Sequence, residues 1–253
     1  MPTSRQLHFD LRPSYVVLRL LIINAALFVL TSLLGTRTEE LLTRPYFMLT
    51  PQSVVSDFHL WQPFTYMWLH ENFSHLLFNM LALFFLGPPL ERRWGRRTFL
   101  KYYLLTGIIA GLLSVLVGLV VSSMYYAPIL GASGAIMALL AAWSMVLPDT
   151  QILLFFVLPV RTRYVIWIAI GLDVVFFLMS RDSNVAIQTH IGGALGGWLL
   201  ITGNWRPRVA WYRLNQLINK WRGGGGGPKP PKKRKTNLRV IRGGRDDDDR
   251  TLH

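Results

Sequence analysis

Six predominantly apolar stretches, at about 14–34, 74–90, 99–121, 133–147, 162–180 and 186–203, run through the chain, each bounded by charges or turn residues. A bilayer core is about 30 Å thick, and a helix needs roughly 20 apolar residues to cross it. Lipid offers no water to stray backbone groups, so such segments must close their hydrogen bonds internally, as helices. Composition agrees: 51% of residues are hydrophobic and 16% charged, with mean hydropathy +0.33, values of a membrane protein rather than a soluble domain. The first stretch continues past any plausible cleavage site and is expected to remain as a span. The expected fold is all-α and polytopic: a six-helix core over 14–203 between a short N-terminal segment, 1–13, and a polar tail, 204–253.

The formal charge is +14, which invites a nucleic-acid reading until the positions of the charges are considered. Arg5 and Arg12 precede the first stretch; Arg92, Arg93, Arg96, Arg97 and Lys101 join the second and third; Arg161 and Arg163 join the fourth and fifth; Arg206, Arg208, Arg213, Lys220 and Arg222 follow the sixth. The opposite loops hold only Arg37, Arg44 and Arg181. Basic loops stay on the cytoplasmic side, so both termini are expected there, with even-numbered spans running inward. The basic excess is then a topology signal and an attraction to anionic lipid, with no nucleic-acid partner. The absence of cysteine removes disulfides, thiolate catalysis and thiolate metal sites.

Gly35 to Phe73, about 38 residues, is too long for a plain connector and carries Trp61, Phe64, Tyr66 and Trp68, which suit the membrane interface. Ser122 to Leu130 is uncharged and leads into Gly131-Ala132-Ser133-Gly134. A fourth span from Ser133 to just before Pro148 covers only about 22 Å at 1.5 Å per residue. Its missing length falls at the outer end, which sinks Ser133 below the outer surface. Gln151 to Val160 is apolar but short, and reads as an interfacial connector. Glycines four apart, at Gly107/Gly111, Gly192/Gly196 and Gly193/Gly197, clear one helix face for close packing.

Polar side chains inside a membrane are costly and need a reason. His75 and Asn79 lie near the outer end of the second stretch, Ser133 at that of the fourth and His190 at that of the sixth. The topology places the four near one depth, with Asn79 one turn from His75 on the same face. Together they supply a hydroxyl nucleophile, an imidazole base and two further donors, the parts of an acyl-transfer site. Each has a plainer reading: Gly-Ala-Ser-Gly alone is packing material, and a lone membrane histidine can be a satisfied structural group, a relay or a ligand. Packing does not account for their joint occurrence. His70, His75 and His190 as zinc ligands compete less well, because His70 and His75 are five apart with no carboxylate beside them, so no metal and no cofactor is expected. Asp173, in the fifth stretch, reads as a helix–helix hydrogen-bond partner nearer mid-depth.

These residues give the chain a resemblance to the rhomboid family of intramembrane serine proteases over about 14–203. His75-Leu76-Leu77-Phe78-Asn79 is similar to the family's HxxxN element, Gly131-Ala132-Ser133-Gly134 to its GxSG element, and His190-Ile191-Gly192-Gly193 to the start of its last core helix. Trp61-Gln62 stands where the family often has Trp-Arg, and Glu91-Arg92-Arg93-Trp94-Gly95 resembles the charged turn after its second helix. The resemblance implies a six-helix bundle with a membrane-embedded first outer loop, and a Ser133/His190 dyad without a third acid. It further implies an oxyanion site of His75, Asn79 and the Ser133 amide, and transmembrane protein substrates entering near the fifth span and the loop Ser180 to Val185. Met137 stands four after Ser133 where some relatives have a tyrosine against the catalytic histidine, and Gln62 replaces the arginine.

In the tail, Trp205, Trp211, Tyr212, Leu214, Ile218 and Trp221 alternate with basic residues, as in an amphipathic helix on the cytoplasmic leaflet. A glycine linker, the basic run Lys229 to Lys235 and the acidic run Asp246 to Asp249 follow. The expected function is intramembrane serine endopeptidase of a bacterial inner membrane; the alternative is a catalytically silent relative that binds transmembrane clients. A transporter would call for an internal repeat or a charged pathway, and neither is clear.

Overall fold

The computed structural model describes residues 13–35, 44–154, 157–179 and 187–203. The expectations for the tail and for the loop Ser180 to Val185 lie outside them. Among the described residues the long helices are α1 (Tyr15–Leu33), α5 (Phe73–Trp94), α6 (Arg96–Val120), α8 (Ser133–Val146), α9 (Thr162–Met179) and α10 (Ile187–Thr202), each within a few residues of an expected apolar stretch. α1, α5 and α6 are long and apolar enough to cross a membrane. α8, at 14 residues, is the short helix expected after Gly131.

The segment before α5 has structure of its own: short helices α2 (Arg44–Phe47), α3 (Pro51–Ser56) and α4 (Gln62–Thr65), then a 3-10 turn at Tyr66–Trp68. Gln62 is fully buried. Its side-chain oxygen accepts from the Thr50 N–H at 3.1 Å and its amide donates to the Pro45 carbonyl at 3.0 Å, so a neutral amide stitches this loop at the Trp-Gln pair. The uncharged connection before Gly131 contains α7 (Ser122–Tyr125) and is tied to the first loop by paired hydrogen bonds between Leu49 and Ile129. Among the described residues the all-α expectation is modified by one hairpin. Gln151–Leu154 and Leu158–Arg161 pair as antiparallel strands β1 and β2, where the sequence reading has only an apolar connector.

α10 packs most extensively on α8, and next on α6. Its glycines allow this. A Cβ on Gly193 would lie against the Gly134 carbonyl, 2.7 Å from its carbon, and one on Gly197 would lie 2.9 Å from the Ala138 Cα. Tyr102 of α6 reaches the same groove and donates to the Ala138 carbonyl at 2.8 Å. The glycine spacing is thus used for packing, as expected. α1 is fastened elsewhere: the buried Glu91 carboxylate near the end of α5 accepts from Val16 N–H at 3.0 Å, Val17 N–H at 3.1 Å and the Ser14 hydroxyl. It satisfies N–H groups that a helix start leaves without intrahelical partners.

Candidate active site

Ser133 is the first residue of α8, preceded by Ala132, which offers no side-chain cap. Its N–H and those of the next residues have no carbonyl one turn back, and they carry the positive end of the helix dipole. The chain reaches this point through Gly131, whose φ of +111° suits glycine. The Gly131 N–H donates to the Tyr66 carbonyl at 3.0 Å. The Tyr66 hydroxyl donates to the Gly107 carbonyl of α6 at 2.7 Å. The approach to Ser133 is therefore held from the first loop and from α6.

His75 and Asn79 stand beside Gly131. A Cβ there would lie 2.6 Å from His75 Nε2, 2.8 Å from Cε1 and 3.8 Å from Asn79 Nδ2. A side chain there would displace the ring, and the positive φ disfavours one in any case. Asn72 caps α5, its side chain accepting from the His75 N–H at 2.8 Å, which orients the first turn. Buried Asn79 donates one amide proton to the His75 carbonyl at 2.8 Å and keeps the second for another acceptor. The imidazole of His70 meets that of His75 edge-on at 5.3 Å. Among the described residues neither buried His70 ring nitrogen has a hydrogen bond of ordinary geometry, and burial, then the neighbouring His75, push its pKa down to about 4 against a weaker opposing pull from the Trp68 backbone.

His190 lies in the first turn of α10, half-buried, as Ser133 is. The residues next to each are in contact: a Cβ on Gly134 would sit 3.1 Å from Thr189 Cγ2. Thr189 is itself fixed on α6 by a 2.7 Å hydroxyl bond to Ser114. Ser114 donates to the Ala110 carbonyl at 2.9 Å, so the Thr189 hydroxyl is the donor of that pair. His190 is also within electrostatic reach of His75. Among the described residues no hydrogen bond joins Ser133 to His190. The imidazole instead holds Asp173 of α9, Nδ1 to Oδ2, at 2.8 Å. The sequence reading makes Asp173 a mid-depth fastener. Its partner is a site residue, for which the only sequence signal is a carboxylate within an apolar helix.

Met137, four residues after Ser133, is buried with Ala141, Ile166 and Ala194, between α8, α9 and α10. The arrangement brings a helix-terminal serine, a carboxylate-bound imidazole and a second imidazole–amide pair to one end of the bundle, a set suited to nucleophilic attack on a carbonyl and stabilisation of the resulting oxyanion.

The chain matches the family model of the Rhomboid domain over residues 57–206. It is 32% identical over 175 residues to Rhomboid protease GluP of Bacillus subtilis, covering 69% of this chain and 31% of that protein. It is 36% identical over 146 residues to Rhomboid protease AarA of Providencia stuartii, covering 53% and 52%. Rhomboid protein 1, mitochondrial, of Saccharomyces cerevisiae is 30% identical over 195 residues, covering 76% and 54%. The chain thus spans about a third of the first of these relatives and about half of the other two.

Proposed function

This chain belongs to the rhomboid family, and on that premise we propose that it is an intramembrane serine endopeptidase that cleaves transmembrane protein substrates. Ser133 is the nucleophile and His190 its base. The oxyanion formed on attack is held by the Ser133 N–H, the free amide proton of Asn79 and His75. The observation that carries the reading is the seating of His75 and Asn79 against Gly131, two residues before the serine.

In the mechanism, His190 Nε2 takes the Ser133 hydroxyl proton as Oγ attacks the scissile carbonyl, then passes it to the leaving amine. Water repeats the cycle on the acyl-enzyme. A helical substrate must unwind before its carbonyl reaches Ser133, so residues of low helix propensity near the cleaved bond favour cleavage. The distribution of basic residues supports six crossings with both termini cytoplasmic, the site at the outer side and the tail on anionic lipid, in a cell membrane such as the bacterial inner membrane.

The missing Ser133–His190 bond favours a second reading, a silent relative that binds transmembrane clients. Catalytic hydrogen bonds in ligand-free sites are commonly long and tighten around substrate, which supports the protease. Purified protein in liposomes with a single-span substrate decides. Wild type should cleave, and Ser133→Ala and His190→Ala should not. Cleavage by Ser133→Ala removes the nucleophile; client binding without cleavage by any variant establishes the silent reading.

A further inference from the structure

The Asp173–His190 contact joins two groups that a membrane interior does not hold cheaply. Their side chains are 16% and 18% exposed, and Asp173 Oδ2 lies 2.8 Å from His190 Nδ1. A carboxylate only accepts, so this bond requires the proton on Nδ1 and leaves the Nε2 lone pair free. That is the tautomer a general base facing Ser133 must have. α9, which carries Asp173, packs on both α8 and α10, so one helix spans the elements that bear the nucleophile and the base.

We propose that Asp173 is a positioning residue that fixes His190, the base of the Ser133–His190 dyad, in its catalytically competent tautomer and orientation. This rests on the reading of the chain as a serine endopeptidase. During attack the Ser133 Oγ–H proton moves to Nε2, and the imidazolium keeps its Nδ1 proton in the bond to Asp173. Asp173 stays ionised and offsets the positive charge on the ring, and Nε2 then gives its proton to the leaving nitrogen. The carboxylate also explains how α10 can hold an imidazole at a fixed angle where Met137, rather than an aromatic ring, stands one turn after Ser133.

The test compares wild type, Asp173→Asn and Asp173→Glu for cleavage of a single-span substrate in liposomes and for labelling of Ser133 by a fluorophosphonate, which reads nucleophile activation without substrate docking. The amide that Asp173→Asn introduces can donate to Nδ1 and hold the wrong tautomer. Asp173→Asn should lower kcat and the labelling rate together by about 10² or more, with KM within about threefold. Asp173→Glu, which keeps the charge, should recover at least about tenfold of the loss. A labelling rate for Asp173→Asn equal to wild type in protein that still cleaves overturns the proposal. So does a loss confined to KM or to thermal stability, the mark of a helix fastener. If Asp173→Asn does not fold, Asp173→Glu decides: a rate within about tenfold of wild type supports the role, and a lower one overturns it. Wild type that neither labels nor cleaves removes the protease reading itself, and the positioning role with it.

Discussion

Gly193 of α10 lies directly on the backbone of Gly134 in α8, so close that a methyl group would fall 2.7 Å from the Gly134 carbonyl carbon and 3.0 Å from its Cα. Backbone faces backbone here, and neither side can swing away as a side chain could. The residues flanking this contact are Ser133 and, three before Gly193, His190.

Gly193→Ala should therefore cost about 3 kcal/mol, the upper end for overpacking, and lower cleavage by moving α10 off α8. Among the described residues, nothing lies within 4 Å of a Cβ placed on Gly171 in α9. Gly171→Ala should leave stability unchanged or raise it by up to about 1 kcal/mol. Unfolding of both variants in mixed micelles checks the pair; equal effects would refute the packing account.

Asn79→Ala removes a proposed oxyanion donor and a side-chain bond to the His75 carbonyl. kcat should fall about 10²-fold with a stability loss of about 1 kcal/mol. An unchanged kcat in steady-state cleavage assays excludes Asn79 from the oxyanion site.

Glu91→Ala strips the acceptor from Val16, Val17 and Ser14 at the start of α1. The unsatisfied N–H groups and the lost anion at a helix N-terminus should cost about 2 kcal/mol. Glu91 is about 24 Å along α5 from His75, so turnover per folded molecule should hold. Equilibrium unfolding alongside active-site titration separates the two; lost turnover in folded protein contradicts this.

His70 predicts a pH dependence of stability. Unfolded, it takes up its proton near 6.5; folded, burial and the adjacent His75 delay this to about 4. Between those values the unfolded chain holds more protons, so stability rises with pH, is fully present above 6.5 and is lost as pH falls toward 4. The contribution is at most about 3 kcal/mol. Unfolding measured across this window should show a flatter slope for His70→Gln than for wild type, and an identical slope would refute the assignment.

The long helices were legible because apolar length is a coarse quantity: a stretch such as 99–121 has no other means of satisfying its backbone in lipid. His75, Asn79 and Ser133 were singled out together because charge placement puts each near the outer start of a helix, and the structure sets the first two beside Gly131, two residues before the third. Asp173 was not. The sequence reading puts it nearer mid-depth than the serine layer, and only the packing of α9 on α10 shows that its side chain meets His190. The β1–β2 hairpin was hidden for another reason. Its pairing joins residues across a short apolar run, in which alternation is weak and an interfacial connector over Gln151 to Val160 reads the same. The role of Gln62 was equally invisible, since Thr50 and Pro45 give no sign in sequence that their backbone groups require a partner.

The placement of His190 on α10 has a consequence in the order of synthesis. By the time the ribosome has delivered α8, Ser133 can be held through Gly131 and Tyr66, because every group that holds it is already made. His190, its proposed base, arrives only with the last described helix. On the proposed reading, a nascent chain that carries Ser133 without His190 beside other newly inserted helices is chemically idle, and cutting has to wait for the helix that carries the base.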